Sequence, residues 1–473
     1  KSLFNVLSWK NNNNRFFSRS ILYSKGYERH ARLKTNPPLQ NTAWLVFEKV
    51  VYLAVSLAVT VALARYLEPS LFGDLSYLLA LVALFMPFMS MGLNGIVSRE
   101  LLLRPDDNDQ IIGSSLFIRS VASVFVTLIV VSASSFYLSD DNTMFFTVLM
   151  ISSIASASQV IDFWLQAKLA NRYAVFLRLL VLVFFSLIRI VAIYKAADFY
   201  LFVYLIALEL AVTGLLYLMI YQRLSGRLLR LRVSFEEIKG LWKGARWLLM
   251  SGIAAIIYLK IDQVMLGIML DSYAVGVYAA ATRVSEVWYF IPAAIVTSFF
   301  PQLIKNRQAG LSVYTKYIQK LNDVLFTLAV GVAVLMTLLG NGLVNWLFGE
   351  SYSDSVPILV VHIWGAVFVF MRALLSKWLI AENLLALSLL SQGLGALANV
   401  ALNYFLIPIL GPIGAAYATV ISYSIAAYVV LFFHPKLWRM AIITTKSFFL
   451  PIRLIKHGRQ LFLAVRPNNQ NIL

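Results

Sequence analysis

The sequence predicts an all-α, polytopic membrane protein with twelve transmembrane helices, arranged as two six-helix lobes around a central cavity. Of its 473 residues, 60% are hydrophobic and only 13% are charged, whereas soluble domains are about half apolar and about a quarter charged. The mean hydropathy is +0.77. The apolar residues cluster into runs near the roughly 20 residues that a helix needs to cross a bilayer.

Polar connections between the apolar runs set the boundaries of the predicted helices. Strand-like alternation is absent over these lengths, and a bilayer favours helices because they satisfy every backbone group within the segment. The predicted spans are residues 43–64, 75–97, 114–137, 143–166, 174–194, 199–221, 246–270, 277–301, 321–347, 356–380, 384–406 and 411–433.

The distribution of positive charge tests the number of spans independently. If both ends are cytoplasmic, the cytoplasmic segments hold most of the 40 Lys and Arg, whereas the six outer connections clearly hold only Lys195. This is the positive-inside pattern, so the net charge of +18 records topology rather than binding to nucleic acid. It defines a basic cytoplasmic N-terminal tail over residues 1–42 and a basic cytoplasmic C-terminal tail over residues 435–473. The N-terminal tail lacks the apolar core of a cleaved secretory signal.

The longest cytoplasmic connection divides the spans into two groups of six. It covers residues 223–245 and separates an N-lobe, residues 43–222, from a C-lobe, residues 246–434. The connection is basic and partly amphipathic. This pattern fits a helix lying on an anionic membrane surface, and it fits a solvated linker equally well.

A short pattern repeats in the two lobes. Glu68 stands five residues before Gly73 after the first span, and Asp271 stands five residues before Gly276 after the seventh span. Because both groups of six begin in the cytoplasm, the repeat is parallel, with its axis along the membrane normal. Two lobes that face each other leave a central cavity as the natural binding site.

Charged residues inside the apolar runs mark this cavity or pairs between helices, because a charge at mid-bilayer costs about 2.5–3.5 kcal/mol. Lys260 and Asp262 are two residues apart, about 200° around a helix. They cannot pair with each other, so at least one faces a cavity or another helix. Arg283 and Glu286 are three residues apart and can pair along one face.

Further charges inside the helices lie in the N-lobe, namely Glu48, Lys49, Arg65, Arg119, Asp162, Arg189 and Glu209. Glu209 shows no partner in the sequence. These charges have two interpretations. In the first, they form ion pairs between helices or extend to the membrane–water interface. In the second, the cations neutralise an anionic substrate and the acids hold a coupling proton or sodium ion. Trp288 offers a sugar-stacking surface or packs in the core.

Several chemistries are excluded by the residues. The chain has no cysteine, and His362 is the one histidine inside a predicted span, so His and Cys cannot form a metal cluster there. No GxxxxGK[ST] loop is present, so the chain has no ATP-driven motor of its own. The outer connections are too short for an external catalytic domain. We therefore expect a transporter rather than an enzyme, with no cofactor.

Five stretches resemble a known family. NTAWLVFEKVVYLAVSLAVTVALARYLEPSLFGDLSYLLALVALF at 41–85 resembles the first two helices of the polysaccharide flippases, the Wzx-like transporters of the MOP superfamily. The stretch NVALNYFLIPILGPIGAAYATVIS at 399–422 is similar to that family's Asn-rich helix, Ile-Pro break and Gly-Ala-Ala turn. IDQVMLG at 261–267, VGVYAAATRVSE at 275–286 and FFPQL at 299–303 match its seventh and eighth helices. The resemblance covers residues 40–435.

The resemblance implies a MATE-like MOP fold in a bacterial inner membrane, with both termini cytoplasmic. It also implies translocation of an undecaprenyl-diphosphate-linked oligosaccharide by alternating access, driven by an H⁺ or Na⁺ gradient. The candidate substrate residues are Lys49, Arg119, Arg189, Lys260, Arg283 and Trp288. The candidate coupling residues are Glu48, Asp262 and Glu286.

Other partners expected on this basis are membrane lipids, a polysaccharide polymerase and chain-length machinery, around a monomeric transporter. The alternative function is a multidrug cation antiporter of the same superfamily, whose cavity should be richer in acids and aromatics. The resemblance leaves open whether the polymer is a lipopolysaccharide O antigen, a capsule or an exopolysaccharide.

Overall fold

The computed structural model describes residues 37–225 and 228–453, and all regular structure in them is helical. Residues 1–36 of the predicted N-terminal tail and residues 454–473 of the predicted C-terminal tail lie outside the described residues. Of the predicted linker, residues 226 and 227 lie outside them.

The first two helices, α1 and α2, are the arms of one continuous stretch, Pro37–Ser90, which breaks at Glu68. The remaining helices are α3 Asn94–Leu103, α4 Asn108–Ser134, α5 Asp140–Ser153, α6 Val160–Ala167, α7 Asn171–Tyr194, α8 Phe199–Ser225, α9 Phe235–Met269, α10 Ser272–Glu286, α11 Phe290–Gln308, α12 Leu311–Phe348, α13 Ser355–His362, α14 Gly365–Ala381, α15 Leu385–Leu410, α16 Pro412–Ala427 and α17 Trp438–Phe448.

The break at Glu68 sets the number of membrane crossings. The described residues contain eleven segments that are long and apolar enough to cross a membrane, and the first of them, Phe47–Leu103, has 57 residues. At 1.5 Å per residue this segment is about twice as long as a bilayer is thick. Glu68 has φ 58° and ψ 172°, outside the helical region, and Pro69 then begins α2 with its fixed φ. The first segment therefore crosses twice, which confirms the predicted twelve spans in an all-α membrane protein.

The two lobes meet where the sequence repeat places its glycines. A Cβ atom on Gly73 of α2 would lie 1.7 Å from the Ser272 carbonyl oxygen, and one on Gly276 of α10 would lie 1.9 Å from the Pro69 carbonyl oxygen. Only a hydrogen atom fits at either position, so the two helix starts cross in backbone contact. We call the end of the bundle that holds this crossing and Glu68 the closed end.

Three polar contacts add to the crossing at the closed end. The Tyr352 hydroxyl donates to the Ala64 carbonyl oxygen at 2.8 Å, and Arg65 Nε donates to the Leu347 carbonyl oxygen at 2.6 Å. The Ser272 hydroxyl donates to the Asp74 carboxylate. Burial raises the pKa of the Tyr352 phenol, so this group stays protonated and keeps donating. The α1–α2 turn is therefore bound to the C-lobe.

At the opposite end the chain between α8 and α9 is bound to the N-lobe. Helix α9 begins at Phe235, inside the predicted linker, and the Ser234 hydroxyl accepts from the Glu237 backbone N–H. Arg104 donates to both carboxylate oxygens of Glu237, at 2.9 and 2.6 Å. This bidentate bond raises the pKa of the Arg104 guanidinium. The start of α9 thus joins the two lobes.

Helices are interrupted inside the membrane at places that position polar groups. Met91 and Gly92 have positive φ values of 54° and 65° between α2 and α3. A 3₁₀ segment, Ile154–Gln159, joins α5 to α6, and another, Val287–Tyr289, joins α10 to α11. Irregular backbone at membrane depth is tolerated where it is enclosed by protein or lines a cavity, and it often marks a binding site.

Candidate functional site

A cavity lies between the lobes, with one wall from α1 and one from the end of α10. Its volume is about 140 Å³, and its lining residues are Leu53, Ser56, Leu57, Thr60, Arg283, Glu286 and Val287. Pockets for drug-sized ligands usually hold roughly 300–1,000 Å³. In this conformation the cavity therefore admits only a small group, such as part of a larger substrate.

Arg283 is the exposed cation of the cavity wall. It lies one turn before Glu286 on α10, but in the described part of the chain it forms no ion pair. Glu286 instead lies 4.0 Å from Lys260 Nζ of α9, and both of these side chains are partly exposed. The cavity side of the C-lobe thus carries two cations and one acid, with one guanidinium uncompensated.

The two charges that alternate on α9 face different surroundings, as their spacing predicted. Lys260 lies on the side of Glu286, whereas Asp262 is 4% exposed and points into the C-lobe. Three side chains donate to its carboxylate: Tyr278 Oη at 2.7 Å, Asn403 Nδ2 at 2.6 Å and Thr419 Oγ1 at 2.6 Å. Four helices, α9, α10, α15 and α16, therefore converge on one buried acid.

The surroundings of Asp262 suit a proton or a hard monovalent cation. Asn403 Nδ2 also donates to Asn399 Oδ1 at 3.3 Å, while the buried Asn403 Oδ1 has no partner. The set is one carboxylate with amide and hydroxyl oxygens, which are the ligands that hard cations prefer. In the described residues no group of three His, Cys, Asp or Glu side chains could hold a metal ion. A cation bound here would meet a single charged ligand, which favours reversible binding.

Two predicted substrate cations lie inside the N-lobe, away from the cavity wall. Arg189 of α7 forms an ion pair with Glu209 of α8, so Glu209 has the partner that the sequence did not reveal. Arg119 of α4 is 1% exposed. It donates to Ser156 O at 3.0 Å and, at longer distances, to Asn94 and Gln159.

Glu48, in the N-terminal part of α1, belongs to a cluster of charged and polar side chains. Arg178 of α7 donates to both of its carboxylate oxygens, at 2.5 and 2.7 Å, and also to Asp162 at 2.9 Å and Tyr217 at 3.1 Å. Sequence reasoning did not single out Arg178. Its position one turn inside the predicted fifth span was the available signal, since such a cation needs an acid from a neighbouring helix.

The remaining predicted residues have simpler surroundings. Lys49 is exposed, with Nζ 6.0 Å from the Tyr52 ring centroid. Trp288 is partly buried and packs against the hydrophobic core. Arg372 of α14 was also not singled out, although its Nη1 is buried without a partner. Arg372 Nη2 donates to the Ser388 carbonyl oxygen at 3.4 Å, a contact between α14 and α15 that the sequence does not predict.

Comparison with known proteins identifies the family of this fold. The sequence model of the family described as polysaccharide biosynthesis protein matches residues 39–307, more than half of the chain. The chain belongs to the polysaccharide biosynthesis protein family. The matched range includes Lys260, Asp262, Arg283 and Glu286, so the family resemblance predicted from the sequence is confirmed over the cavity wall.

Curated relatives of this family member match over shorter stretches. The probable low-salt glycan biosynthesis flippase Agl15 of Haloferax volcanii is 24% identical over 197 residues, which is 41% of each chain. The probable flippase AglR of the same organism is 28% identical over 208 residues, 41% of this chain and 42% of the relative. The chain thus aligns with about two fifths of the length of each of these relatives.

Solved structures confirm the MOP fold of the family member. The lipid II flippase MurJ in an inward closed conformation superposes with a TM-score of 0.66 at 14% identity, over 91% of this chain and 94% of that chain. An inward-facing multidrug resistance MATE transporter of the MOP superfamily gives 0.67 at 17% identity, over 83% and 94%. At such identities the likeness establishes the fold alone.

Proposed function

We propose that this polysaccharide biosynthesis family member is a flippase that moves an undecaprenyl-diphosphate-linked oligosaccharide repeat unit from the inner to the outer leaflet by alternating access. The proposal places the chain in a bacterial inner membrane with both termini in the cytoplasm, upstream of a polymerase and chain-length machinery. In this proposal the chain is a secondary transporter that moves its substrate without making or breaking covalent bonds.

The uncompensated Arg283 in the interlobe cavity carries this proposal. A guanidinium without an acid partner in a protein-walled cavity suits an anion, and Arg binds phosphate oxygens through paired hydrogen bonds. Lys260 Nζ lies 4.0 Å from Glu286, one turn after Arg283 on α10, and at this distance the pair is weak enough for Lys260 to exchange the acid for a phosphate. A diphosphate would thus meet Arg283 and Lys260 on the C-lobe wall.

The positions of the other cations support the same assignment. Arg119 and Arg189 are enclosed in the N-lobe, and Lys49 is exposed beside Tyr52. Among the described residues, none of the three lines the cavity or pairs with a lining residue, whereas Arg283 lines it and Lys260 lies 4.0 Å from the lining residue Glu286. We therefore propose that Lys260 and Arg283 bind the diphosphate head group and that Trp288 has a packing role. The relatives named as probable flippases, one of them in glycan biosynthesis, support the substrate class.

For the coupling ion, the proposal selects Asp262 over Glu48. Glu48 is already neutralised by the bidentate Arg178, whereas Asp262 meets only neutral donors and lies beside the unpartnered Asn403 Oδ1. Binding of H⁺ or Na⁺ there would neutralise the acid and change how α9, α15 and α16 pack. Glu286, which lies beside Lys260, is the second coupling candidate.

Deletion of the gene from its host tests the proposal, with lipid-linked oligosaccharide and surface polymer compared with the wild type. Accumulation of the single lipid-linked unit and loss of polymer, both reversed by the wild-type chain but not by Arg283→Met, would support it. Unchanged polymer together with increased sensitivity to cationic drugs would refute it in favour of a drug antiporter.

A further inference from the structure

Arg119 is a fully buried cation without a buried counter-charge. Its side chain is 1% exposed, and its three acceptors are neutral oxygens of Asn94, Ser156 and Gln159 at 3.3, 3.0 and 3.4 Å. Charge-assisted bonds from guanidinium groups are normally about 2.7–2.9 Å long. Nε is buried and has no acceptor. Because arginine keeps its proton in proteins, the charge needs compensation from elsewhere.

Two other arginines inside the N-lobe have their positive charge neutralised by acidic side chains. Arg178 meets Glu48 and Asp162, and Arg189 meets Glu209. Arg119 is the most buried of the three, yet no carboxylate of the described residues lies within ion-pair distance of it. Among these three arginines of the N-lobe, Arg119 alone lacks an acid within the described residues.

Three buried hydroxyls beside Arg119 also lack partners. Ser115 and Ser123 lie four residues before and after Arg119, on the same face of α4, and the carbonyl of Ser156 accepts from Arg119. All three hydroxyl oxygens are buried and unbonded. Serines in a helix commonly bond back to the carbonyl four residues earlier, as Ser152 and Ser153 do on nearby α5. A helical side chain points toward the N-terminal end of its helix, so Arg119 can share an acceptor with Ser115 and with Ser156. Ser123 lies about 12 Å along α4 from Ser115, too far to share the same small ion.

Irregular backbone frames this cluster. Ser156 and Gln159 belong to the 3₁₀ segment between α5 and α6, and Asn94 begins α3 directly after the break at Met91 and Gly92. A Cβ on Gly92 would lie 2.4 Å from the Leu249 amide nitrogen of α9. The same break thus contacts the helix that joins the two lobes.

We propose that Arg119 is the centre of an anion-binding site inside the N-lobe, in which Nε–H and the hydroxyls of Ser115 and Ser156 donate to a small monovalent inorganic anion of the chloride class. The burial of all three donors selects a compact ion over a phosphate ester. The anion neutralises Arg119 and orders the break that packs against α9. This site is separate from the interlobe cavity, so it stands or falls independently of the proposed substrate.

Anion titration of the purified full-length chain tests the site. Chloride replaces gluconate at constant ionic strength while thermal unfolding is followed, and bromide is used for anomalous scattering from crystals. We expect the unfolding midpoint to rise with the logarithm of the chloride concentration once the site is half filled. We also expect a bromide peak within hydrogen-bond distance of Arg119 Nε. A response to sulfate or phosphate but not to chloride would overturn the proposal.

Matched variants separate this site from general salt effects. Arg119→Met should abolish the chloride response. Ser115→Ala should weaken the apparent affinity several-fold, and it provides a test if Arg119→Met does not fold. The double variant Arg189→Met/Glu209→Met removes a self-compensated pair from the same lobe and should keep the full response. No bromide peak at Arg119 in the wild-type protein, or an equal chloride response in Arg119→Met, would show that the site does not exist.

Discussion

At the scale of single residues, the division of charge across α9 explains how one helix can serve two tasks. Lys260 lies beside Glu286 at the cavity wall, and Asp262 lies within a buried set of hydroxyls and amides. The two side chains point to opposite sides of α9 because a spacing of two residues corresponds to about 200° of rotation around a helix. Substrate and coupling ion would thus act on opposite faces of the same rigid element.

Replacement of Arg283 tests the substrate face. Arg283→Met keeps the length of the side chain and removes the charge, and we expect about a 10- to 100-fold loss of transport, because hydrogen bonds to charged groups contribute about 1.5–3 kcal/mol. Arg283→Lys should recover part of the rate. The measurement is the initial rate of lipid-linked oligosaccharide translocation, and full activity of Arg283→Met would exclude the role.

Replacement of Asp262 tests the coupling face. Asp262→Asn retains the shape and most hydrogen bonds but cannot bind a proton or cation in the same way. We expect transport that no longer accelerates when a pH or sodium gradient is imposed, with the fold preserved because the partners remain bonded. The rate with and without each gradient in proteoliposomes is the readout. A gradient response equal to that of the wild type would exclude Asp262 as the coupling site.

At the scale of elements, the crossing of α2 and α10 acts as the contact that closes one end of the cavity. Gly276→Ala places a methyl group about where the Pro69 carbonyl oxygen lies, 1.9 Å from the ideal Cβ position, so the closed end cannot form without displacement of backbone. We expect this variant to favour conformations open at that end. Because the chain has no cysteine, a single Thr60→Cys in the cavity lining reports access.

Labelling of Thr60→Cys by an impermeant maleimide from the side of the closed end should increase several-fold in Gly276→Ala. Gly331→Ala is the matched control, since a Cβ there meets no atom within 4 Å and labelling should stay at the level of the Thr60→Cys parent. Equal labelling in both variants would mean that the crossing does not control access.

The helices themselves could be predicted from the sequence, because apolar runs and the positive-inside pattern report directly on the bilayer. The partners of buried charges could not. Arg178 meets Glu48 from a helix 130 residues away, and Glu209 meets Arg189 through the packing of α7 against α8. Such pairs depend on helix rotation and contact. The spacing of Arg283 and Glu286 allowed a pair that the structure does not form, because Lys260 lies closer to the acid.

At the scale of the whole molecule, two lobes are bound together at the closed end and along α9, around a cavity of about 140 Å³. A lipid-linked oligosaccharide is far larger than this cavity, so translocation requires the lobes to separate. Both the contacts of the closed end and the Arg104–Glu237 bond are formed here, so alternating access would break one of these ends while the other stays joined.

The most direct test of a glycan flippase is translocation by the purified full-length chain in proteoliposomes that contain a labelled undecaprenyl-diphosphate-linked oligosaccharide. Accessibility of the sugar to an external glycosidase measures how much has crossed. We predict protein-dependent crossing that Arg283→Met slows by at least tenfold and Gly331→Ala leaves unchanged. Crossing no faster than in empty liposomes, together with exchange of a cationic drug for protons or sodium, would contradict it.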